Sequence, residues 1–186
     1  CWVKNKNPVK AAQFFERAIF IDPNNAEALA NLGVIKAEQG FTDKAIALYE
    51  RSIQAQPDQA EPVNNSGVAL LDKGRPVEAL KVLRGLIKRG IPVPETYANL
   101  GNALYKLGDT VGAAEAYQTA LSQKPGHHGI RVKRALLLPV VAESFEAMEV
   151  SRRELTIRVE ELISSPPDLR DPFAEVGMPT FNLSYQ

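Results

Sequence analysis

The chain is 186 residues long and carries 22 Lys plus Arg against 22 Asp plus Glu, a net charge of zero. That balance gives no bulk electrostatic pull toward nucleic acid or an anionic membrane. A single cysteine excludes an internal disulfide framework, and no apolar run approaches the roughly 20 residues of a membrane-spanning helix. With no secretory signal visible, the expectation is a cytoplasmic protein long enough to bury a sizeable core.

The chain begins at Cys1, and Cys1, Trp2 and Val3 read as the last part of a helix whose start is absent, so a fragment with more repeats upstream is expected. Asn7 and Pro8 open the next helix, with Ala11, Phe15 and Ala18 on one face before Pro23. From Ala26 the pattern becomes complete: a helix with Leu29, Leu32 and Gly33, a break at Gly40, then a helix with Ala45, Tyr49 and Ser52, closing at Pro57. The same order recurs at a fixed spacing as Val63, Ser66, Gly67, then Gly74, then Ala79, Leu83, Leu86. It recurs again at that spacing as Tyr97, Leu100, Gly101, then Gly108, then Ala113, Tyr117, Ala120, closing at Pro125.

Spacings of three and four place each set on one helical face. The small residues let two antiparallel helices approach closely, and the large ones fill the space beside the crossing. Gly40, Gly74 and Gly108 suit the left-handed residue that commonly follows a helix. Arg75 with Pro76 and Asp109 with Thr110 open second helices, while Asn24 or Asp58, with Glu27 or Glu61 three residues on, are expected to cap first helices. A fixed period of this length is the mark of a solenoid.

These residues resemble the tetratricopeptide repeat, whose pattern runs W-x2-L-G-x2-Y, then G, then A-x3-F-x2-A, then P. The resemblance implies an all-α solenoid of antiparallel helix pairs in a right-handed superhelix. It covers about two-thirds of the chain: a partial repeat at 1–25 and complete repeats at 26–59, 60–93 and 94–126. Lys36 stands at the usual Tyr, Ser66 at the usual Leu and Leu86 at the last small position, so the middle unit is expected to pack less tightly.

Beyond Pro125 the pattern fails. Gly126 to Gly129 is a break, and a short helix follows from Ile130 to Leu138, which Pro139 should end. A longer helix runs from about Phe145 to Ile163, with Phe145, Met148, Leu155, Val159 and Leu162 stepping by three or four. Residues 127–165 therefore form a cap and linker, expected to cover the open end of the solenoid. The charges of Glu143, Glu146, Glu149, Arg153, Glu160 and Glu161 argue against a helix lying on a membrane. From Pro166 the composition turns to Pro and turn formers and ends in an alternating, strand-like run at Thr180–Tyr185.

This tail resembles the junction of bacterial SPINDLY-type O-linked N-acetylglucosamine transferases. There an "LP-x-(I/V)-Y-x-S-x2-E" helix and a "DP-x3-VG" turn lead to "F-x-L-x-YQG" and the catalytic domain. Leu138-Pro139, Ser144, Asp171-Pro172, Val176-Gly177, Phe181, Leu183 and Tyr185-Gln186 take those places, and Ala142 replaces the aromatic. The resemblance implies that residues 166–186 begin an absent glycosyltransferase domain, and that a nucleotide sugar binds only there.

No catalytic constellation is present in the chain, and no cofactor or metal is expected. His127 and His128 are adjacent and lack a ligand partner at the right spacing. The Gly126/Gly129 and Gly108/Gly112 pairs lack the Lys-Ser/Thr of a phosphate loop. Arg131, Lys133 and Arg134 read as a solvated helix face.

The groove carries the binding expectation. In this repeat family the first helices line the concave surface, and Asn31, Asn65 and Asn99 recur at one position of them, with Asn64 and Asn102 on the same helices. An amide can both donate to and accept from a peptide backbone. In O-linked N-acetylglucosamine transferases a matching row of asparagines holds the substrate, although Asn is also common at that position in the repeat. The partner expected is a protein or extended peptide in the groove, either as substrate of such a transferase or as the client of a free-standing scaffold. Repeats that clamp an acidic chaperone tail need converging bases, whereas Glu27, Glu61, Glu95, Ala30, Ala98, Glu38 and Asp72 stand here with only Lys106.

Overall fold

The computed structural model describes residues 8–138 and 144–176, and ten helices run through them. They are α1 (Pro8–Ile21), α2 (Ala26–Glu38), α3 (Thr42–Ala55), α4 (Ala60–Asp72), α5 (Pro76–Lys88), α6 (Pro94–Lys106), α7 (Thr110–Gln123), α8 (His128–Ala135), α9 (Phe145–Ser164) and α10 (Pro172–Val176). No strand occurs among the described residues. The strand expected at Thr180–Tyr185 lies outside them, as does the helix end expected at Cys1–Val3. Each helix packs on the next through α8, and α4 also meets α2 and α6, so α2, α4 and α6 form one inner row.

The helix pairs cross at glycine, as the pattern requires. A Cβ on Gly33 would lie 2.5 Å from Tyr49 Cε1, and one on Gly101 would drive into the Tyr117 ring. In the middle repeat the partner is Leu83, and the same Cβ on Gly67 would sit 3.1 Å from Leu83 Cδ2. That crossing is more open, and α4 and α5 meet over less of their length than α2 with α3 or α6 with α7. The turns at Gly40, Gly74 and Gly108 have φ of 81°, 69° and 83°, the left-handed region in which a side chain is penalised.

The departures from the repeat pattern have separate consequences. Lys36 leaves the apolar stripe and pairs with Glu16 of α1 at 3.2 Å. Ser52, at the small position of α3, is buried and donates to Ala26 O at 2.8 Å, tying α3 to the start of α2. Leu86 replaces it in α5 and is fully buried. Ser66 is fully buried too, but its hydroxyl finds no partner.

Two expectations about the helix ends need correction. Asn25, not Asn24, caps α2: its Oδ1 accepts from Ala28 N at 2.9 Å, while Asn24 N–H is used by Asp22 Oδ1 at 3.0 Å. The tight turn after Pro23 delays the helix by one residue. Asp58 does not cap α4, which starts after Gln59 without a side-chain cap. Asp109 does cap α7, its Oδ1 accepting from Gly112 N at 2.8 Å.

The residues expected as cap and linker form two helices, α8 and α9. α8 starts one repeat length after α6, puts Ala135 where Gly101 stood and packs on α7. Ile130 and Leu137 join the core with Ala98, Leu104, Ala116 and Tyr117. So α8 covers the last repeat. α9, also expected to cover the open end, has no fully buried residue and packs on α8, with Arg158 Nη2 donating to Leu137 O at 3.0 Å. The eight residues of α8 offer too little surface to bury the α9 stripe.

Candidate functional site: the inner cleft

A cleft of about 610 Å³ opens on the inner face where α4, α6 and α8 come together. Asn64 and Asn65 of α4, and Asn99 and Asn102 of α6, line it with His127 and Lys133. Four of the five groove amides expected from the sequence therefore meet at one place. The fifth does not: Asn31 lies outside the cleft, and its Nδ2 donates to Glu27 O of its own helix at 2.9 Å.

The amides differ in what they already hold. Asn65 and Asn99 are half-buried. Asn64 is only 8% exposed, and its Oδ1 has no partner. A buried carbonyl left without a donor costs about 1–3 kcal/mol. Asn102 is structural as well as exposed to the cleft: its Oδ1 accepts from Tyr117 OH at 2.9 Å and from Lys133 Nζ at 3.3 Å. Burial pushes the Tyr117 hydroxyl well above its ordinary range, which keeps it a donor.

The charges around the cleft are unevenly paired. Glu95 is bound by Lys124 at 2.8 Å, and that hydrogen bond holds its carboxyl below the usual range. Glu175, brought in by the short α10, has its Oε1 occupied by Arg170 N and Asp171 N at 2.9 and 3.1 Å. This tail packs against α8 so closely that a Cβ on Gly129 would lie 2.6 Å from Glu175 O, which accounts for the glycine. Burial, then Lys124, lowers the pKa of His127, so it is neutral at physiological pH. Burial also lowers that of Lys133. The sequence placed Lys133 on a solvated face; the structure places it half-buried in the cleft wall. Its position one repeat length after Asn99 was the available signal.

A row of amides along an open cleft suits an extended polypeptide better than a compact molecule that must be enclosed. Family models for the tetratricopeptide repeat match residues 3–61 and 64–128. The chain belongs to the tetratricopeptide-repeat family. Similar solved structures bear out the solenoid. MamA from Desulfovibrio magneticus RS-1 is 18% identical with a TM-score of 0.67, over 86% of this chain and 88% of that one. YrrB, described as a tetratricopeptide-repeat protein with an unusual peptide-binding site, is 19% identical with a TM-score of 0.67, over 89% and 81%. The first repeat domain of human RPAP3 is 20% identical with a TM-score of 0.53, over 77% and 98%. A comparison with curated proteins finds no match. No described helix is long and apolar enough to cross a membrane.

Proposed function

We propose that this chain is a scaffold that holds an extended peptide segment of a partner protein in the cleft between α4, α6 and α8. The observation that carries the reading is the convergence of Asn64, Asn65, Asn99 and Asn102 on one cleft, with the Asn64 carbonyl buried and unpartnered. Amides on one row recognise backbone rather than side chains, so the affinity comes from main-chain hydrogen bonds and tolerates varied sequences. One of the similar solenoids named above, YrrB, is itself described as having a peptide-binding site.

The narrower reading, that this is the substrate-recognition part of a SPINDLY-like transferase, rests on the tail's resemblance and on the asparagine row that such transferases share. Two parts of that resemblance within the described residues have local explanations. Ser144 caps α9 by accepting from Ala147 N at 3.1 Å, and Asp171-Pro172 starts α10. Neither needs a transferase, so the scaffold is the better-supported function. The purified chain is expected to show no transfer from a nucleotide sugar.

The test is binding to an arrayed set of random dodecapeptides, with hits remeasured in solution. Asn65→Ala and Asn99→Ala should each weaken binding roughly 2- to 10-fold, the worth of one hydrogen bond, and Asn31→Ala should not. Equal effects at all three positions would show that the whole row acts, and no effect at any would reject the groove.

A further inference from the structure

The chain beyond α9 is led back to the cleft. Arg131 Nη2 of α8 donates to Ser165 O at 3.0 Å, just past the end of α9. α10 then packs on α8, so closely at Glu175 O that Gly129 has no room for a Cβ. Glu175 itself lines the cleft, and α10 ends one residue later at Val176. The sequence that follows, residues 177–186, therefore starts from the cleft wall. It reads GMPTFNLSYQ.

Three properties of this segment match the cleft. The first is reach: ten extended residues span about 33 Å, and crossing from α8 to α4 at ordinary helix spacing needs about 20 Å. The second is pattern. Phe181, Leu183 and Tyr185 alternate with Thr180, Asn182 and Ser184, which puts the two sets on opposite faces of an extended chain. Ala60, Val93, Ala98 and Ile130 line the cleft beside Asn65 and Asn99, so apolar side chains and a peptide backbone both find counterparts there. The third is charge. The segment has no charged side chain, so Glu61, Glu95 and Glu175 do not repel it and the pair of Glu95 with Lys124 stays intact.

We propose that residues 177–186 are the chain's own occupant of the cleft, lying extended across α8, α6 and α4, and that a partner peptide binds by displacing them. This rests on the groove reading above and adds a regulatory element to it. A short tether holds its segment at an effective concentration of about millimolar, so weak contacts suffice to fill the cleft. A partner then binds only as well as it competes with that segment.

The probe is a fluorescently labelled peptide GMPTFNLSYQ, titrated against the unaltered chain and two full-length variants. One variant replaces residues 177–186 with a Gly/Ser run of equal length, and the other is Phe181→Ser/Leu183→Ser/Tyr185→Ser. Both should bind the probe, and the unaltered chain should bind it about 10-fold or more weakly. Adding Asn65→Ala to the Gly/Ser variant should weaken the probe roughly 2- to 10-fold. Dodecapeptides selected from the random array should gain affinity in both variants as the probe does. Helical circular dichroism and a melt verify that each protein is folded, and the two variants guard against one that is not. Probe binding that is absent from both folded variants, or equal in all three proteins, would overturn this inference. So would an unaltered chain that sediments as a dimer when both variants are monomers, because the segment then fills a second copy's cleft. Dodecapeptides that still bind in those cases leave the groove reading standing, and no dodecapeptide binding by any of the proteins would overturn both.

Discussion

The repeats on either side of the middle one are built around an aromatic ring, and the middle one is not. Tyr49 lies against Gly33 and Tyr117 against Gly101, each ring closing a helix crossing with no room for a methyl group. In the middle repeat a Cβ on Gly67 would meet Leu83 at 3.1 Å, a close contact but with a side chain that can shift. The same repeat carries two of the four buried polar atoms without a partner among the described residues, Asn64 Oδ1 and Ser66 Oγ, both on α4. The less crowded crossing and the unpartnered polar atoms therefore coincide on the helix that forms one wall of the cleft. Proteins break their own packing rules mostly at functional sites. On this account the outer repeats hold the solenoid together and the middle one is kept less stable for binding.

The largest effect expected is at the glycines. Gly33→Ala and Gly101→Ala should each destabilise the protein by about 1–3 kcal/mol, because a ring must move out of a packed core. Gly67→Ala should change stability by less than about 1 kcal/mol, since a small shift of Leu83 is offset by the better helix propensity of Ala. Denaturant melts of the three variants check this, and equal losses would remove the distinction between the repeats. Tyr117→Phe comes next. It strips Asn102 of a donor and should cost about 1 kcal/mol, whereas a loss near zero would show that Lys133 compensates.

Much of this contrast can be read from the residues. The repeat spacing, the glycine turns and the Ser66 and Leu86 departures mark both the solenoid and its weaker unit. What is hidden is hidden for definite reasons. Arg131 and Arg134 stand in α8 where Tyr97 and Leu100 stand in α6, so α8 packs on α7 without the apolar signature that marks the repeats. For the same reason Lys133 passes for one charge in a basic run. Asn31 looks identical to Asn65 and Asn99, but nothing in the spacing tells that its amide turns to Glu27 O. The stripe of α9 is amphipathic and still buries little, because burial depends on the size of the neighbour and not on the pattern.

Smaller effects sharpen the comparison further. Ser66→Ala removes a buried hydroxyl that bonds to nothing, so stability should hold or rise by up to about 1 kcal/mol. Ser52→Ala, in the repeat before it, breaks the bond to Ala26 O and should cost about 1 kcal/mol. A melt that falls for Ser66→Ala as it does for Ser52→Ala would mean that Ser66 has a partner after all. The smallest effect is at the cleft rim. The hydrogen bond from Lys124 lowers the Glu95 pKa below its unfolded value. The stabilisation is therefore present at neutral pH and lost as pH falls through the lowered carboxyl range. Because the pair is well exposed, Glu95→Gln should cost only a few tenths of a kcal/mol at neutral pH, and nothing once that carboxyl is protonated.

The most direct test of a middle repeat kept for binding is the Asn64→Ala/Asn65→Ala variant, followed by melting and by peptide titration side by side. Removing both amides takes an unpartnered carbonyl out of the interior and two contacts out of the cleft. The melt should hold or rise, while affinity for a peptide selected by the unaltered protein falls roughly 3- to 100-fold. A melt that falls together with affinity would make the asparagines structural, and unchanged affinity with an unchanged melt would show that α4 takes no part in binding.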